Sequence, residues 1–272
     1  MKLKFIFIVA LSALLSSVLA AEENFEKVLE KYRNVTSESL LAQREKKQIL
    51  NNTFLDGTMV AVQEKNYSIL KTEVTQELYE FVMGENPSKF KGEKNLPVEN
   101  ISWYDAIVFC NKLSVIDGLA PVYSVSGKSD VSEWNYEPHK GNSISNGVGC
   151  NENANGYRLP TVEEWQYAAK GGQKFKYSGS DNLDEVAWYD GNSGKKTHPV
   201  AQKVPNGYGL YDMSGNVWEW CWDSSSSNER CNCGGSWNSD ASYCEVGGRY
   251  WNDAYSRYRS LGFRIVRSSS KK

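Results

Sequence analysis

The chain has 272 residues, with 31 basic against 33 acidic side chains and a formal charge of -2, so no broad positive field draws it to nucleic acid. The length suits one large domain. Two histidines far apart in sequence, His139 and His198, and a Cys231-Asn232-Cys233 spacing too short for the usual zinc motifs argue against a zinc site.

In chain order, Lys2 and Lys4 precede an apolar run over residues 5–15 and then Val18-Leu19-Ala20, small residues where a signal peptidase cuts. Residues 1–20 are thus expected to be a signal peptide, and the product exported to the cell surface, periplasm or medium. An uncleaved anchor is the competing reading, but the run is short for a full span. No transmembrane segment is expected after removal. The first cysteine is Cys110, which gives no lipid-attachment site near the cut. Outside the cytosol the six cysteines, Cys110, Cys150, Cys221, Cys231, Cys233 and Cys244, meet conditions in which disulfides persist, and the sequence does not choose a pairing.

Residues 21–52 are rich in Glu, Lys and Arg and free of Gly and Pro, with Phe25, Val28, Leu29 and Tyr32 at helical spacing. A helical arm is predicted. From residue 53 to 269 short strand-like runs alternate with well-signalled helices. Thr75 is predicted to cap one helix, with Val74 and Tyr79 as a hydrophobic staple. Ser102 caps a second, in which Ala106, Cys110 and Leu113 share a face and Cys110 is a buried thiol. Thr161 to Glu164 is a capping box, followed by Trp165 and Ala168 and stopped by Gly171-Gly172. Residues 124–156 read as a long loop rich in Ser, Gly and Asn.

Two later segments carry the chemistry. Residues 206–222, NGYGLYDMSGNVWEWCW, gather Asp212, Gly215, Val217 and Glu219 around one turn that offers carboxylate and carbonyl oxygens. A hard cation such as calcium takes about six to eight oxygens. The plainer reading is that the glycines allow tight turns while the tryptophans fill a core. Residues 237–258, WNSDASYCEVGGRYWNDAYSRY, interleave Trp and Tyr with Ser, Asn, Asp, Gly and Arg, and contain no lysine. Such a mixture suits a binding face: Tyr and Trp give contact area at low entropy cost, and Ser, Asn and Gly give adaptable hydrogen bonds. The alternative is a loop-rich core segment, against which stands the cost of burying so many polar residues together.

TEVTQELYEFVMGENPSKF, LPVENISWYDAIVFCNKLS, YRLPTVEEWQYAAKGG, NGYGLYDMSGNVWEWCWD, GGSW and LGFRIVRS follow one another in an order that resembles the formylglycine-generating, sulfatase-modifying-factor family over about residues 53–267. The resemblance implies an α+β, C-type-lectin-like fold rich in ordered loop. It also implies a structural calcium ion on the side chains of Asp212 and Glu219 and the carbonyls of Gly215 and Val217. Active members of the family bind copper through two cysteines five residues apart and oxidise a substrate cysteine. The matching positions here are Ser239 and Cys244. A hydroxyl does not replace a soft thiolate on Cu(I), so no copper and no catalysis are expected.

The tail further resembles the variable proteins of diversity-generating retroelements, in which a fixed frame alternates with positions randomised at template adenines. Asn, Ser, Asp, Tyr and Gly are types that an Asn codon reaches in that way. On this resemblance the ligand-binding set is Asn238, Ser239, Asp240, Ser242, Tyr243, Gly248, Tyr250, Trp251, Asn252, Tyr255, Ser256 and Tyr258, within a variable region of about 237–260. Gly234 to Trp237, Cys244, Arg257 and residues 261–264 belong to the frame. The implied role is non-catalytic display, with a protein ligand on a host or neighbouring cell. Two alternatives remain: a sulfatase-maturing oxidase, and a calcium-dependent lectin suggested by Trp251-Asn252-Asp253 without its usual partner tripeptide.

Overall fold

The computed structural model describes residues 37–269 apart from Asn142, Ser145 and Asn146. The expected signal peptide and the start of the expected arm therefore lie outside the described residues. The chain divides into two units, Met1–Gln48 and Ile49–Lys272. The described residues begin with helix α1, Ser37–Ile49; Lys46 and Lys47 sit in its last turn, where they complement the helix dipole.

The second unit opens with a short π-helical segment, Leu50–Leu55, and then builds three sheets around three main helices. One sheet joins β1 (Met59–Ala61), β2 (Tyr67–Leu70), β5 (Tyr157–Arg158) and β10 (Val266–Ser268), in the order β1-β2-β10-β5 with antiparallel neighbours. A hairpin of β3 (Tyr123–Val125) and β4 (Val148–Cys150) gives regular structure inside the segment read as loop. The third sheet, in the order β8-β7-β6-β9, contains β6 (Trp218–Trp220), β7 (Glu229–Cys233), β8 (Arg249–Asp253) and β9 (Leu261–Gly262). Only β6 and β9 run parallel in it.

The helices form where their caps predict. Thr75 Oγ1 accepts the Leu78 amide at 3.2 Å to open α2, Gln76–Met83, and Val74 and Tyr79 are both buried in the core cluster expected of a staple. Ser102 and Asp105 form a reciprocal capping box at the head of α3, Trp103–Asp117, on which Cys110 is fully buried. Thr161 and Glu164 do the same for α4, Val162–Lys170, which stops at Gly171 with φ 56°. A single turn, α5, Leu183–Val186, follows.

The third sheet lies between two hydrophobic clusters. Strand residues alternate between faces, so Trp220 joins Trp103, Phe109 and Phe263 on one side. Cys231 and Cys233, with Cys221 just beyond β6, join Trp165 and Met213 on the other. All six cysteines are free thiols, the Sγ atoms of Cys221 and Cys233 standing 3.9 Å apart. No helix among the described residues is long and apolar enough to cross a membrane.

Candidate ligand-binding face

The face is built on a frame that starts at the Gly234-Gly235 turn, where both residues have positive φ, 97° and 75°. A Cβ on Gly235 would stand 2.7 Å from Cys244 Sγ, so this backbone passes close over the buried thiol. Trp237 is buried next, its indole donating to the Arg259 carbonyl at 3.0 Å and meeting Phe90 edge-on at 5.4 Å. Arg257 ties the far end of the segment down: its Nε donates to Asp105 Oδ2 at 2.9 Å. Asp105 also accepts from the Ser102 amide at 2.7 Å, the Tyr136 hydroxyl at 2.7 Å and the His139 amide at 3.0 Å. Burial alone would raise the Asp105 carboxyl, but hydrogen bonds and charges from His139 and Arg257 outweigh it and hold it well below the usual carboxylate range.

Above this frame stand four tyrosines, Tyr243, Tyr250, Tyr255 and Tyr258, exposed to 44, 52, 49 and 51 %. Asn238, Asp240 and Ser242 are exposed beside them, while Asn252 and Ser256 are half-buried. Tyr243 and Tyr250 both lean on Trp218, with ring centroids 6.0 and 6.4 Å from it. The Tyr255 hydroxyl donates to Asp253 Oδ2 at 2.9 Å. Exposed aromatics resting on a fixed aromatic give a surface with little rotamer entropy left to lose on binding.

Three expected members do not join the exposed set. Ser239 is only 8 % exposed; its Oγ accepts the Ser236 amide at 3.0 Å and lies 3.0 Å from the Ser236 hydroxyl, so it closes the turn internally. Gly248 has no room to vary, because a Cβ there would collide with the Tyr243 carbonyl oxygen. Trp251 pairs across the ladder with Cys231 and packs with the cluster that holds Cys221 and Cys233, on the opposite face from Tyr250. Conversely, the sequence reading passed over Trp218, Arg230 and Asn232. The period-two pattern of ERCNC was the available signal for the last two: with the cysteines inward, Arg230 and Asn232 take the other face.

The expected oxidase pair is a hydroxyl and a lone thiol. Burial pushes Cys244 up to about 12, with Ser236 and Asp240, and no second cysteine, as its electrostatic neighbours.

Of the expected calcium positions, the two carboxylates lie in one buried cluster, where other groups engage them. Glu219 Oε2 accepts from Arg264 Nε and Trp165 Nε1, each at 2.6 Å, and Glu219 Oε1 accepts from Arg264 Nη2 at 2.7 Å. Asp212 Oδ2 accepts the Ala201 amide at 2.7 Å, leaving only Oδ1 without a partner. Among the described residues no group of three or more His, Cys, Asp and Glu side chains is arranged to hold a metal. The Arg264 guanidinium thus engages both oxygens of the expected Glu219 ligand.

The profile of the sulfatase-modifying factor enzyme 1-like domain matches residues 32–269. Treponema denticola variable protein 1 superposes with a TM-score of 0.70 at 38 % identity, over 78 % of this chain and 91 % of that one. A chaperone protein LppX of Paenibacillus barcinonensis is 43 % identical over 229 residues, 75 % of this chain and 80 % of that protein. Similarity to the formylglycine-generating enzyme of Mus musculus is shorter, 33 % over 145 residues, covering 41 % of this chain and 39 % of the enzyme. Motif order, fold and these matches agree: the chain belongs to the sulfatase-modifying factor enzyme 1-like family, with the lectin-like α+β fold that its motifs predict.

Proposed function

We propose that this chain is an exported, non-catalytic binding protein whose carboxy-terminal face, about residues 237–260, engages a polypeptide on a host or neighbouring cell. The observation that carries the reading is the set of four half-exposed tyrosines above a frame fixed by Trp237 and the Arg257–Asp105 pair. Cys244, the thiol beneath the Gly234-Gly235 turn, is held protonated by burial. The name of the LppX relative, a chaperone, suits a polypeptide ligand. That of the Treponema relative, a variable protein, suits a surface whose side chains change while its frame stays. Buried ion pairs, Arg257 with Asp105 and Arg264 with Glu219, hold the scaffold beneath the face.

The test uses a phage-displayed peptide library panned on the full chain. Tyr250→Ala and Tyr255→Ala should each weaken a selected peptide by about tenfold or more, the loss expected of an aromatic anchor, with an unchanged melting midpoint. Equal binding by both variants would overturn the reading. Two further assays decide against the alternatives: formation of an aldehyde from a CxPxR peptide with copper would establish an oxidase, and chelator-sensitive binding on a glycan array would establish a lectin.

A further inference from the structure

We propose that Arg230 and Asn232, side by side on β7, form a fixed subsite for an acidic residue of the polypeptide ligand, and this rests on the reading that the neighbouring face binds a polypeptide. Register places them. Arg230 stands opposite Asn252 and Asn232 opposite Tyr250, so both share the sheet face of these two expected contact residues.

Each carries an unmet polar demand. Asn232 is fully buried, and neither its Oδ1 nor its Nδ2 has a hydrogen-bond partner among the described residues. Arg230 is half-buried with its guanidinium 4.3 Å over the Trp103 ring, its Nη1 donates to the Glu229 carbonyl at 3.0 Å, and its buried Nε has no partner. The titratable group that acts on it is the neutral Tyr104 phenol, not a carboxylate. The other well-buried arginines are matched: Arg158 by Glu164 at 2.6 Å, Arg257 by Asp105 at 2.9 Å and Arg264 by Glu219 at 2.6 Å. A guanidinium stacked on an aromatic ring and left without its anion is prepared to receive one.

The combination selects the ligand chemistry. Arg230 and Asn232 Nδ2 offer donors to a carboxylate, while Asn232 Oδ1 needs a donor in return. An acidic residue within a peptide supplies both, through its side chain and its own amide N–H. Inorganic phosphate supplies acceptors chiefly. Because Asn232 has no exposed surface, the acid meets half-buried Arg230 first, and Asn232 lies next to it on the same strand face, across the ladder from Tyr250.

The experiment follows the side-chain Nε–H signal of Arg230 in the 15N-labelled full chain, titrated with N-acetylglutamic acid amide, N-acetylglutamine amide and inorganic phosphate. The expected result is a saturable shift with the glutamate compound, at least about tenfold weaker with the other two; in Arg230→Gln, followed through the backbone amide signal of Asn232, the saturable shift should be lost. No saturable shift, equal response to the glutamine compound, tighter binding of phosphate, or persistence of binding in Arg230→Gln would each overturn the subsite. Should that variant not fold, the wild-type comparison of glutamate with glutamine decides alone. Asn232→Val provides an independent readout: removing an unsatisfied buried amide should raise the melting midpoint by about 2–4 °C while weakening the glutamate compound. A lowered midpoint would mean that the fold itself uses the amide, and the subsite would fall. If the Arg230 titration fails while Tyr250→Ala still abolishes peptide capture, only the subsite is lost and the display face stands.

Discussion

Glu219 lies in a cluster of three buried carboxyl groups and one guanidinium, and the charge balance of that cluster decides whether a metal is needed. Burial, together with the nearby Asp212 and Glu219, holds the Glu73 carboxyl well above its usual range. The protonated form of Glu73 is thereby favoured, and Arg264 offsets Glu219 at salt-bridge distance. Asp212, pushed up to about 6 mainly by burial, is the third acid of the cluster. Arg264 also donates to the carbonyls of Leu70 and Tyr211, at 3.1 and 2.9 Å, and so ties the first sheet to the turn before β6. Arg264→Met should cost about 3–5 kcal/mol, because it strands a buried carboxylate, as read by urea unfolding. Chelator should leave the wild-type midpoint where it is, whereas a rise of several degrees on adding calcium would show that the ion displaces the guanidinium.

At the scale of elements, the caps of α2, α3 and α4 were legible because a cap is local: Thr75, Ser102 and Thr161 each find their partner within three residues. What the turn at Glu219 does was not, since Arg264 arrives from 45 positions further along the chain. The faces of β8 were equally hidden, because Trp251 points inward only by virtue of its register with Cys231. Gly248 is held by contact with a carbonyl that its own sequence does not announce. The segment leading into α3 adds a pH dependence of its own. Glu99 Oε1 accepts the Lys89 and Phe90 amides at 2.5 and 2.8 Å, yet burial pushes its carboxyl up to about 7 and Oε2 has no partner. A raised carboxyl pKa means that the folded state holds its proton more tightly than the unfolded state. Its contribution is therefore favourable near the unfolded pKa of about 4.5 and is lost as pH rises to about 7, to a total of order 3 kcal/mol. Glu99→Gln should flatten the stability profile between those limits and leave the variant more stable than wild type at pH 8. An unchanged slope in urea unfolding at several pH values would contradict the assignment.

Across the whole molecule, packing separates the residues that hold the face from those that form its surface. Trp237 is 3 % exposed, and removing its ring as Trp237→Ala should cost about 3–5 kcal/mol through the cavity left behind. The four tyrosines keep roughly half their surface in water, and Tyr243 and Tyr250 rest against Trp218. Replacing Tyr243, Tyr250, Tyr255 and Tyr258 by Ser together should therefore move the melting midpoint by no more than about 4 °C, the shift of roughly one kcal/mol in a domain of this size. The same fourfold variant should lose capture of the selected peptide. Cooperative melting preserved with binding lost is the signature of a frame that tolerates change at its surface, and calorimetry beside a binding titration reads both. If the fourfold variant unfolds, the tyrosines are part of the core's own support, and the face cannot be varied as the display reading requires.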